Sequence, residues 1–508
     1  MSKTVLSLDC GTQSLRAMLF DEKGNLLSKV KECFEPYFSP EEGYCEQRPE
    51  LYWEKLCAAT NKLKEQCADI WDTIIGVTVT TMRDVGICVD KDIKPLRPCI
   101  LWMDRRKAKC EKKLPFKSRL LFKISGMDDV IKKNRVDCKS NWIKENEPAI
   151  WQKTEKFLQL STYLIYKLSG NVKDSVASMI GHIPFNYKAK KWMPKNHFQY
   201  PVFDIEPEKL FDIVEPGTEL GKISAEASRE SGIKEGLPLI ASGSDKGCET
   251  LGVGAISPET ASISFGTGAT IQITTPKYVE PITFLPAYPA VYPGRYNPEI
   301  MVPRGYWMLT WFIKEFLGKD PCACYEKTLD KQLDTVPPCC EGLFVVPLWG
   351  AALNRPEGKG AMVGFSESHT AIHVYRAIIE GINFELYKGM LSLEKKSGTK
   401  IQKIMVSGGG SQSDEVCQIT ANLFGRPVVR VQTYETSGLG AAMCAFAGLG
   451  VYKDCDEAMK NMVRETDKFI PDPKAHKIYS DFYNKVYKKS YKRLQPTLFS
   501  IKKYQQGG

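Results

Sequence analysis

Two short Gly-Thr segments, one in each half of the sequence, have the composition of a turn that binds phosphate. Gly11-Thr12 lies between two apolar runs, and Gly266-Thr267-Gly268 lies between two others. Glycine permits a tight turn and the close approach of a phosphate, and successive backbone N–H groups in such a turn attract anions. Together the segments predict two loops, in opposite halves, that hold a polyphosphate across a cleft.

An acidic and a basic residue flank the first of these turns. Asp9 ends the preceding apolar run, and Arg16 lies in the run that follows. Asp9 could stabilise the turn through local N–H groups. It could also be the partner of a Mg²⁺ ion through water, because Mg²⁺ is held by a few carboxylates together with substrate phosphates. Arg16 could neutralise phosphate or pair with Asp9.

A second acidic residue, Asp245, follows an apolar run within Gly243-Ser244-Asp245. One interpretation is an Asx turn. The other is a general base that accepts the proton of a hydroxyl group. A base of this kind would suit phosphoryl transfer, which depends mainly on positioning and on stabilisation of charge. The neighbouring Lys246 is interpreted as a surface lysine.

A third glycine-rich segment, Ser-Gly-Gly-Gly-Ser at 407–411, lies between a predicted strand and a predicted helix. Such a turn can hold a ribose or a phosphate at the positive end of a helix. The sequence contains neither the GxxxxGK[ST] motif nor a His-Arg-Asp catalytic loop. These absences argue against a P-loop nucleotide-binding protein and against a protein kinase.

The pattern of apolar residues predicts a mixed α/β protein. The chain opens with an antiparallel meander, continues with alternating helices and strands, is mostly helical over 110–200, and repeats the strand, Gly-Thr turn, strand pattern in its second half. Predicted strands are 4–9, 15–20, 26–30, 74–79, 85–89, 239–242, 261–265, 269–274 and 403–406, and predicted helices begin at Pro49 or span 370–396, 413–424 and 438–447.

A chain of 508 residues is too long for one hydrophobic core. We therefore expect an N-terminal domain at 1–250, a C-terminal domain at 251–465 and a basic helical tail at 466–508. The tail alternates cations with aromatic residues, as on a solvated terminal helix. Nucleic-acid binding through the net charge of +10 is a less favoured alternative.

Composition also predicts a cytoplasmic protein without a membrane partner. No apolar run is long enough to cross a bilayer, and no secretion signal opens the chain. The 17 cysteines include no CxxC pair, which is typical of reduced thiols in the cytosol. A zinc site built from Cys322, Cys324, Cys339 and Cys340 is a less favoured alternative.

The sequence resembles the FGGY family of carbohydrate kinases along nearly its whole length. The segments that carry the resemblance are residues 9–16 (DCGTQSLR), 46–49 (EQRP), 139–146 (KSNWIKEN), 243–245 (GSD), 264–268 (SFGTG) and 408–427 (GGGSQSDEVCQITANLFGRP). The last of these is the most specific. The resemblance implies a two-lobed actin-like ATPase fold of the ribonuclease H-like kind, with ATP and Mg²⁺ in the cleft between the lobes.

The resemblance also implies roles for individual residues. Asp245 corresponds to the catalytic base, and Asp9 corresponds to the residue that binds Mg²⁺ through water. The positions that correspond to nucleotide contacts are Thr12, Gln13, Ser14, Arg16, Gly266, Thr267, Gly409, Gly410 and Asp414. Those that correspond to the sugar pocket are Arg83, Asp84, Trp102 and Asp104, together with Asp245.

The resemblance leaves the substrate less well defined. Arg83-Asp84 stands where glycerol kinases carry Arg-Glu, whereas Asn134 and Thr270 stand where glycerol kinases carry a Tyr and a Phe. Both departures favour a more polar substrate, such as a pentulose like xylulose or a four- or five-carbon polyol. Glycerol kinase and a catalytically weak sensor of sugar or ATP are the alternatives. The oligomeric state is open, with a homodimer as one alternative.

Overall fold

The computed structural model describes residues 3–321, 323–349 and 357–505. Its strands are β1 (Thr4–Cys10), β2 (Ser14–Asp21), β3 (Leu26–Cys33), β4 (Glu46–Gln47), β5 (Ile74–Thr81), β6 (Gly86–Val89), β7 (Cys99–Ile100), β8 (Lys156–Gln159), β9 (Lys173–Ser175), β10 (Phe185–Asn186), β11 (Lys191–Trp192), β12 (Asp212–Val214), β13 (Glu219–Lys222), β14 (Pro238–Ser244), β15 (Thr260–Phe265), β16 (Ala269–Gln272), β17 (Tyr288–Pro289), β18 (Tyr296–Asn297), β19 (Glu299–Val302), β20 (Phe344–Val346), β21 (Ala361–Val363), β22 (Lys403–Ser407), β23 (Val428–Val431) and β24 (Glu465–Phe469).

The α-helices of the described residues are α1 (Pro49–Gln66), α2 (Phe116–Ser125), α3 (Asp128–Asp137), α4 (Lys139–Asn146), α5 (Pro148–Lys153), α6 (Leu160–Ser169), α7 (Tyr200–Phe203), α8 (Ala225–Ser231), α9 (Asp245–Gly252), α10 (Trp307–Leu317), α11 (Ala323–Asp330), α12 (Ala371–Ser397), α13 (Asp414–Phe424), α14 (Thr436–Gly448), α15 (Cys455–Met462), α16 (Pro473–Phe482) and α17 (Lys488–Gln505).

The first half of the chain is built on a six-stranded sheet in the order β13-β14-β5-β1-β2-β3. Its central strand β1 is antiparallel to β2 and parallel to β5, and every residue of β1 is buried. Burial on both faces is expected where helices cover both sides of a sheet. The register places Asp9 opposite Arg16 on β2. This sheet and the elements around it form the first lobe.

A second six-stranded sheet, in the order β19-β16-β15-β22-β23-β24, repeats the same arrangement. Its strand β15 is antiparallel to β16 and parallel to β22. The antiparallel pair is joined at the Gly266-Thr267-Gly268 turn, as β1 and β2 are joined at the Gly11-Thr12 turn. The strand, turn, strand repetition predicted from the sequence is therefore present. This sheet and its helices form the second lobe.

The lobes meet where α9 crosses α14, and two glycines bring these helices into backbone contact. A Cβ atom added to Gly440 would lie 1.9 Å from the carbonyl oxygen of Cys248, and one added to Gly252 would lie 2.0 Å from that of Thr436. Although α14 comes late in the sequence, its apolar face packs on the first sheet, beside Met18 of β2. The division into 1–250, 251–465 and 466–508 stays a prediction about independent folding units.

The segment predicted to be mostly helical over 110–200 is only partly so. Helices α2 to α6 occupy it up to Ser169, interrupted by β8, but β9, β10 and β11 follow. The helical prediction is wrong for these short strands because β10 and β11 pair with each other, and β9 pairs with the later strand β12. The pairing of β9 with β12 joins segments distant in the sequence and so gives no local signal.

The tail predicted to be helical over 466–508 begins instead within strand β24, which pairs with β23, and only then continues in α16 and α17. These helices are not simply solvated. Tyr479 of α16, with Tyr483 and Tyr487 after it, is buried in the core of the second lobe. The Tyr479 hydroxyl donates to the buried carboxylate of Glu380 at 2.6 Å. Aromatic residues that alternate with cations in the sequence therefore anchor the tail on α12.

Within residues 3–321, 323–349 and 357–505, no helix has the length and apolar composition needed to cross a bilayer. The cysteines whose side chains are described there are unpaired thiols, and most of them are buried. In the same ranges, no three His, Cys, Asp or Glu side chains form a group that could hold a metal ion. Cys322, which the alternative zinc site would need, lies outside the described residues.

Candidate active site

A cavity of about 510 Å³ lies between the two lobes, and residues from both of them line it. From the first lobe these include Thr12, Arg83, Asp84, Trp102, Asn134, Asp245 and Lys246, and from the second lobe Thr267, Gly268, Thr270, Tyr288 and Glu299. The cavity thus gathers most of the predicted sugar-pocket residues, the predicted base and both Gly-Thr turns.

Asp9 lies at the end of β1 and pairs with Arg16. The Arg16 Nη1 atom donates to Asp9 Oδ2 at 3.1 Å, while Arg16 Nε lies 3.5 Å from Glu435 Oε2. Arg16 thus pairs with Asp9, which is one of the two roles considered for it. Burial, with the nearby carboxylates of Asp245 and Glu435, raises the pKa of Asp9 to about 6 in spite of Arg16. A further cation beside Asp9 would relieve this cost.

Asp245 is the first residue of α9, at the mouth of β14. Ser244 caps the helix, because its Oγ atom accepts the backbone N–H of Gly247, and an acidic residue in the first turn is favoured by the helix dipole. Asp245 Oδ1 accepts the backbone N–H of Lys246 at 2.7 Å and lies 3.6 Å from Arg83 Nε. An Asx turn would need the N–H of Gly247, two residues on, but that N–H binds Ser244 Oγ, so the Asx turn is not formed. No described residue donates to Asp245 Oδ2. One carboxylate oxygen is thus left for a substrate.

The environment of Asp245 makes it a stronger base than a free aspartate. Burial raises the pKa of Asp245, while the positive charges of Arg83 and Lys246 act in the opposite direction. A raised pKa increases the proton affinity of the carboxylate, and the two cations favour its ionised form. Both properties suit a residue that accepts a proton from a hydroxyl group.

Lys246 is not the surface lysine that the sequence suggested. Its Nζ atom lies 2.8 Å from Glu249 Oε2 and 2.5 Å from Ser264 Oγ. Glu249 also accepts hydrogen bonds from Ser264 Oγ at 2.9 Å and Ser407 Oγ at 2.6 Å. This buried carboxylate joins α9 to the strand ends that precede both glycine-rich turns of the second lobe.

Sequence reasoning missed Glu249. The available signal was its spacing, since Glu249 lies three residues after Lys246 and four after Asp245 on one helix, where side chains meet. The serines that complete the network, Ser264 and Ser407, come from other elements.

Arg83 crosses the cleft to the second lobe. Its Nη1 and Nη2 atoms donate to Glu299 Oε1 and Oε2 at 3.1 and 2.7 Å, and its guanidinium lies 5.4 Å from the centre of the Tyr288 ring. Burial acts to lower the pKa of Arg83, but the carboxylates of Glu299 and Asp245 raise it above its ordinary value. Arg83 therefore stays charged. Glu299 was also missed, because it belongs to no recognised motif.

Asp84 has a left-handed backbone conformation, with φ of 57°, and three donors hold its carboxylate. Lys139 Nζ lies 2.5 Å from Oδ2, the backbone N–H of His182 donates to Oδ1 at 3.1 Å, and the His182 ring Nδ1 lies 2.9 Å from Oδ2. Although burial acts to raise the pKa of Asp84, Lys139 and His182 hold it well below its usual range. Asp84 is an ionised acceptor at the cavity wall.

Trp102 and Asp104 occupy different environments, although they are two residues apart. The indole Nε1 of Trp102 donates to Thr12 Oγ1 at 3.1 Å, inside the main cavity. The Asp104 side chain is only 2% exposed and binds the guanidinium of Arg106 and the backbone N–H of Cys45. Asp104 lines a smaller adjoining cavity of about 80 Å³ instead.

The third glycine-rich turn packs closely against neighbouring elements. Gly408 has φ of 80°, and a Cβ atom there would lie 2.9 Å from the backbone of Phe265. A Cβ atom on Gly410 would lie 2.3 Å from the Tyr306 ring, whereas one on Gly409 would have no neighbour within 4 Å. The turn therefore needs glycine at two positions, and the third, Gly409, offers open backbone.

The remaining predicted nucleotide contacts lie outside the lining of the main cavity. Gln13 is exposed on the first turn, and Ser14 is buried at the start of β2. Asp414 opens α13 with its side chain 73% exposed, and its carboxylate lies 2.6 Å from Arg430 Nη1. Gln13 and Ser14 thus lie at the first turn, whereas Asp414 lies at the start of α13.

Comparison with known proteins decides the family. Two family models match, described as the N-terminal domain of the FGGY family of carbohydrate kinases over residues 4–252 and the C-terminal domain of that family over residues 261–449. The chain belongs to the FGGY family of carbohydrate kinases. The predictions of a two-lobed actin-like α/β fold and of an ATP-dependent sugar kinase are thereby confirmed.

Relatives that match along nearly their full length carry the names of kinases for different substrates. This FGGY kinase is 28% identical to the xylulose kinase of Lactococcus lactis over 494 residues, which cover 96% of each protein. It is 28% identical to the gluconokinase of Bacillus licheniformis, with 94% of each protein covered. The crystal structure of ligand-bound xylulose kinase from Lactobacillus acidophilus has the same fold, with a TM-score of 0.84, 21% identity and coverage of 98% of this chain and 100% of the other.

Proposed function

We propose that this kinase transfers the γ-phosphoryl group of ATP to a hydroxyl of a pentulose such as xylulose, or of a four- or five-carbon polyol. The observation that supports this most is the position of Asp245. Its carboxylate lies in the interlobe cavity with Arg83 beside it, and the two Gly-Thr turns line the same cavity. The proposed base, sugar pocket and phosphate site would thus share one cavity.

Asp245 is proposed as the general base. The attacking hydroxyl would transfer its proton to the carboxylate, while its oxygen forms a bond to phosphorus and the bond from phosphorus to the ADP oxygen breaks. Proton acceptance by a group in hydrogen-bond reach typically accelerates a reaction by about 10² to 10⁴. Among the described residues no group donates to Asp245 Oδ2, which supports this assignment.

The turns are proposed to hold the nucleotide. Thr12, with Gln13 and Ser14, and Gly266 with Thr267 would contact the phosphates through backbone N–H and hydroxyl groups, with Arg16 as a nearby cation. The open backbone at Gly409, beside Gly410 and the start of α13 at Asp414, would hold the adenosine part. Helix α13 begins there, and backbone N–H groups of its first turn could donate to the ribose oxygens.

Asp9 fits the Mg²⁺ partner that the reaction class implies. Its carboxylate is buried near two other carboxylates, and burial raises its pKa to about 6, so a cation beside it would stabilise the ionised form. Mg²⁺ is commonly held by one or two carboxylates, water and substrate phosphates. Bound Mg²⁺ would neutralise phosphate charge, and Asp9 would orient its water shell.

Arg83, Asp84 and Trp102 are proposed to bind sugar hydroxyls. Arg83 and Asp84 present a donor and an ionised acceptor at the cavity wall. The same role for Asp104 has less support, because Asp104 lines the smaller adjoining cavity and not the main one.

Two further residues support a substrate more polar than glycerol. Asn134 and Thr270 both line the cavity, at the positions where glycerol kinases carry aromatic side chains. The names of the xylulose kinase relatives point in the same direction.

The proposal is tested by measuring ADP release with ATP and Mg²⁺ against glycerol, erythritol, xylitol, D-xylulose, D- and L-ribulose, L-fuculose and gluconate. The Asp245→Asn protein serves as the background control. Rapid ADP release with a pentulose or a four- or five-carbon polyol supports the proposal. A preference for glycerol would establish the glycerol kinase alternative. No ADP release with any compound of the panel, with ATP binding intact, would favour the alternative of a catalytically weak sensor.

A further inference from the structure

The ammonium group of Lys246 occupies a defined position on the wall of the cavity. Its side chain is 23% exposed, and Glu249 and Ser264 hold its Nζ atom at 2.8 and 2.5 Å. Two polar partners from different elements fix a side chain that would otherwise have many rotamers. The charge is therefore preorganised one residue away from Asp245.

This ammonium lies against the phosphate-binding turn of the second lobe. A Cβ atom placed on Gly266 would be 3.7 Å from Lys246 Nζ. Thr267 and Gly268 of that turn line the same cavity as Lys246. The Lys246 ammonium group and the Gly266-Thr267-Gly268 turn are therefore neighbouring groups that could bind the same anion.

One hydrogen of the ammonium group is left for a ligand. A lysine ammonium has three N–H donors, and Glu249 and Ser264 accept two of them. Among the described residues, no third acceptor binds Nζ. Glu249 also accepts hydrogen bonds from Ser264 and Ser407, so its carboxylate is fixed and holds the cation in place.

We propose that the third N–H of Lys246 binds the γ-phosphoryl group of ATP, and that Glu249 is the residue that positions it. This rests on the proposed function and assigns one more contact within it. As the sugar oxygen bonds to phosphorus and the ADP oxygen leaves, the hydroxyl proton passes to Asp245. Lys246 keeps its own proton and stabilises the charge on the transferred group.

The test compares a non-hydrolysable ATP analogue with ADP, both binding in the presence of Mg²⁺, by titration calorimetry. For Lys246→Met we expect the affinity for the analogue to fall about 10- to 100-fold, the range for loss of a hydrogen bond to a charged group, with ADP affinity nearly unchanged. Lys246→Arg should retain part of the preference. Lys234→Met, which removes an exposed lysine near Asp72, is the matched control and should change neither affinity.

A second variant guards against misfolding, because Lys246→Met leaves Glu249 buried without its cation. In Lys246→Met/Glu249→Gln both charges are removed, and we expect the same loss of analogue affinity as in the single variant. Glu249→Gln alone should lose less, and its effect should vanish when Lys246 is already Met.

Three results would overturn the proposal: equal weakening of analogue and ADP, unchanged analogue affinity, or a raised KM for sugar with both nucleotide affinities intact. Failure of the proposed substrate is separable from these results. If the parent protein phosphorylates no sugar on the panel, the calorimetric comparison still decides the role of Lys246.

Discussion

Arg83 in the first lobe and Glu299 in the second form a two-point hydrogen bond across the substrate cavity, with N–O distances of 3.1 and 2.7 Å. Gln272, on the adjacent strand, also donates to the Glu299 carboxylate. A planar guanidinium paired with a carboxylate in this way has its orientation fixed. Arg83 therefore faces Asp245 because a residue of the opposite lobe holds it there.

For Arg83→Ala we predict a raised KM for the sugar with ATP affinity little changed, because the lost contacts lie in the sugar pocket. Glu299→Gln should raise the same KM by a smaller factor, since Arg83 remains but is held less firmly. Steady-state kinetics with the sugar varied at saturating ATP measures both. Arg48→Ala, at an exposed arginine near Glu54, is the control and should have no effect. An unchanged KM in Arg83→Ala would remove this residue from the pocket.

For Asp245→Asn we predict a fall in kcat of about 10² to 10⁴, the range for loss of a general base. Binding of ATP should be retained, because the amide keeps the size of the side chain and the turn geometry. Turnover and nucleotide titration on one preparation separate the two effects. Turnover close to that of the parent would exclude Asp245 as the base.

For Asp9→Asn we predict a pH-dependent gain in stability. Burial raises the pKa of Asp9 from 3.8 to about 6, so the neutral carboxyl is favoured in the folded protein. The stabilisation of the folded protein by protonated Asp9 is fully present below about pH 4 and is lost as pH rises through about 6. The change in the free energy of unfolding is about 3 kcal/mol. The variant carries no ionisable group there. Its free energy of unfolding relative to the parent should therefore rise by about that amount between pH 4 and pH 8.

Urea unfolding of both proteins, without nucleotide or Mg²⁺, measures this difference. A difference between Asp9→Asn and the parent that stays constant from about pH 4 to about pH 8 would contradict the raised pKa of Asp9. ATP binding by Asp9→Asn should also depend less on the Mg²⁺ concentration than ATP binding by the parent protein does.

For Gly440→Ala we predict a loss of stability of about 1–3 kcal/mol, the usual cost of overpacking. The added methyl group would lie 1.9 Å from the carbonyl oxygen of Cys248, and backbone cannot move away as a flexible side chain would. Denaturant unfolding measures the loss. Ser437→Ala, a change on the same helix, should cost little. Wild-type stability in Gly440→Ala would mean that α9 and α14 are farther apart in solution.

The parts of the site that could be predicted from the sequence are those fixed by local structure. Asp9, Gly11 and Asp245 each stand at the end of an apolar strand, next to residues that favour a turn, so their sequence neighbours were sufficient. Their partners could not be found in this way. Glu299 reaches Arg83 only because the second sheet brings β19 to the cleft.

Burial was the other quantity that the sequence did not reveal. Lys246 looked like an exposed lysine because its two partners on the cavity wall, Glu249 and Ser264, meet only after α9 packs beside β15. Asp104 lies two residues after Trp102, yet Arg106 binds its carboxylate in an ion pair. In both cases tertiary packing, not residue type, determined the environment.

The backbone contact between Gly252 and Gly440 has a consequence for how the halves of this kinase could move. No side chain stands between the helices at this point. Because the two backbones touch there, the separation of the helices at the crossing is fixed, and any widening of the cleft would have to break contacts elsewhere. The Arg83–Glu299 pair joins the two lobes across the cavity, so it is a contact that such a widening would break.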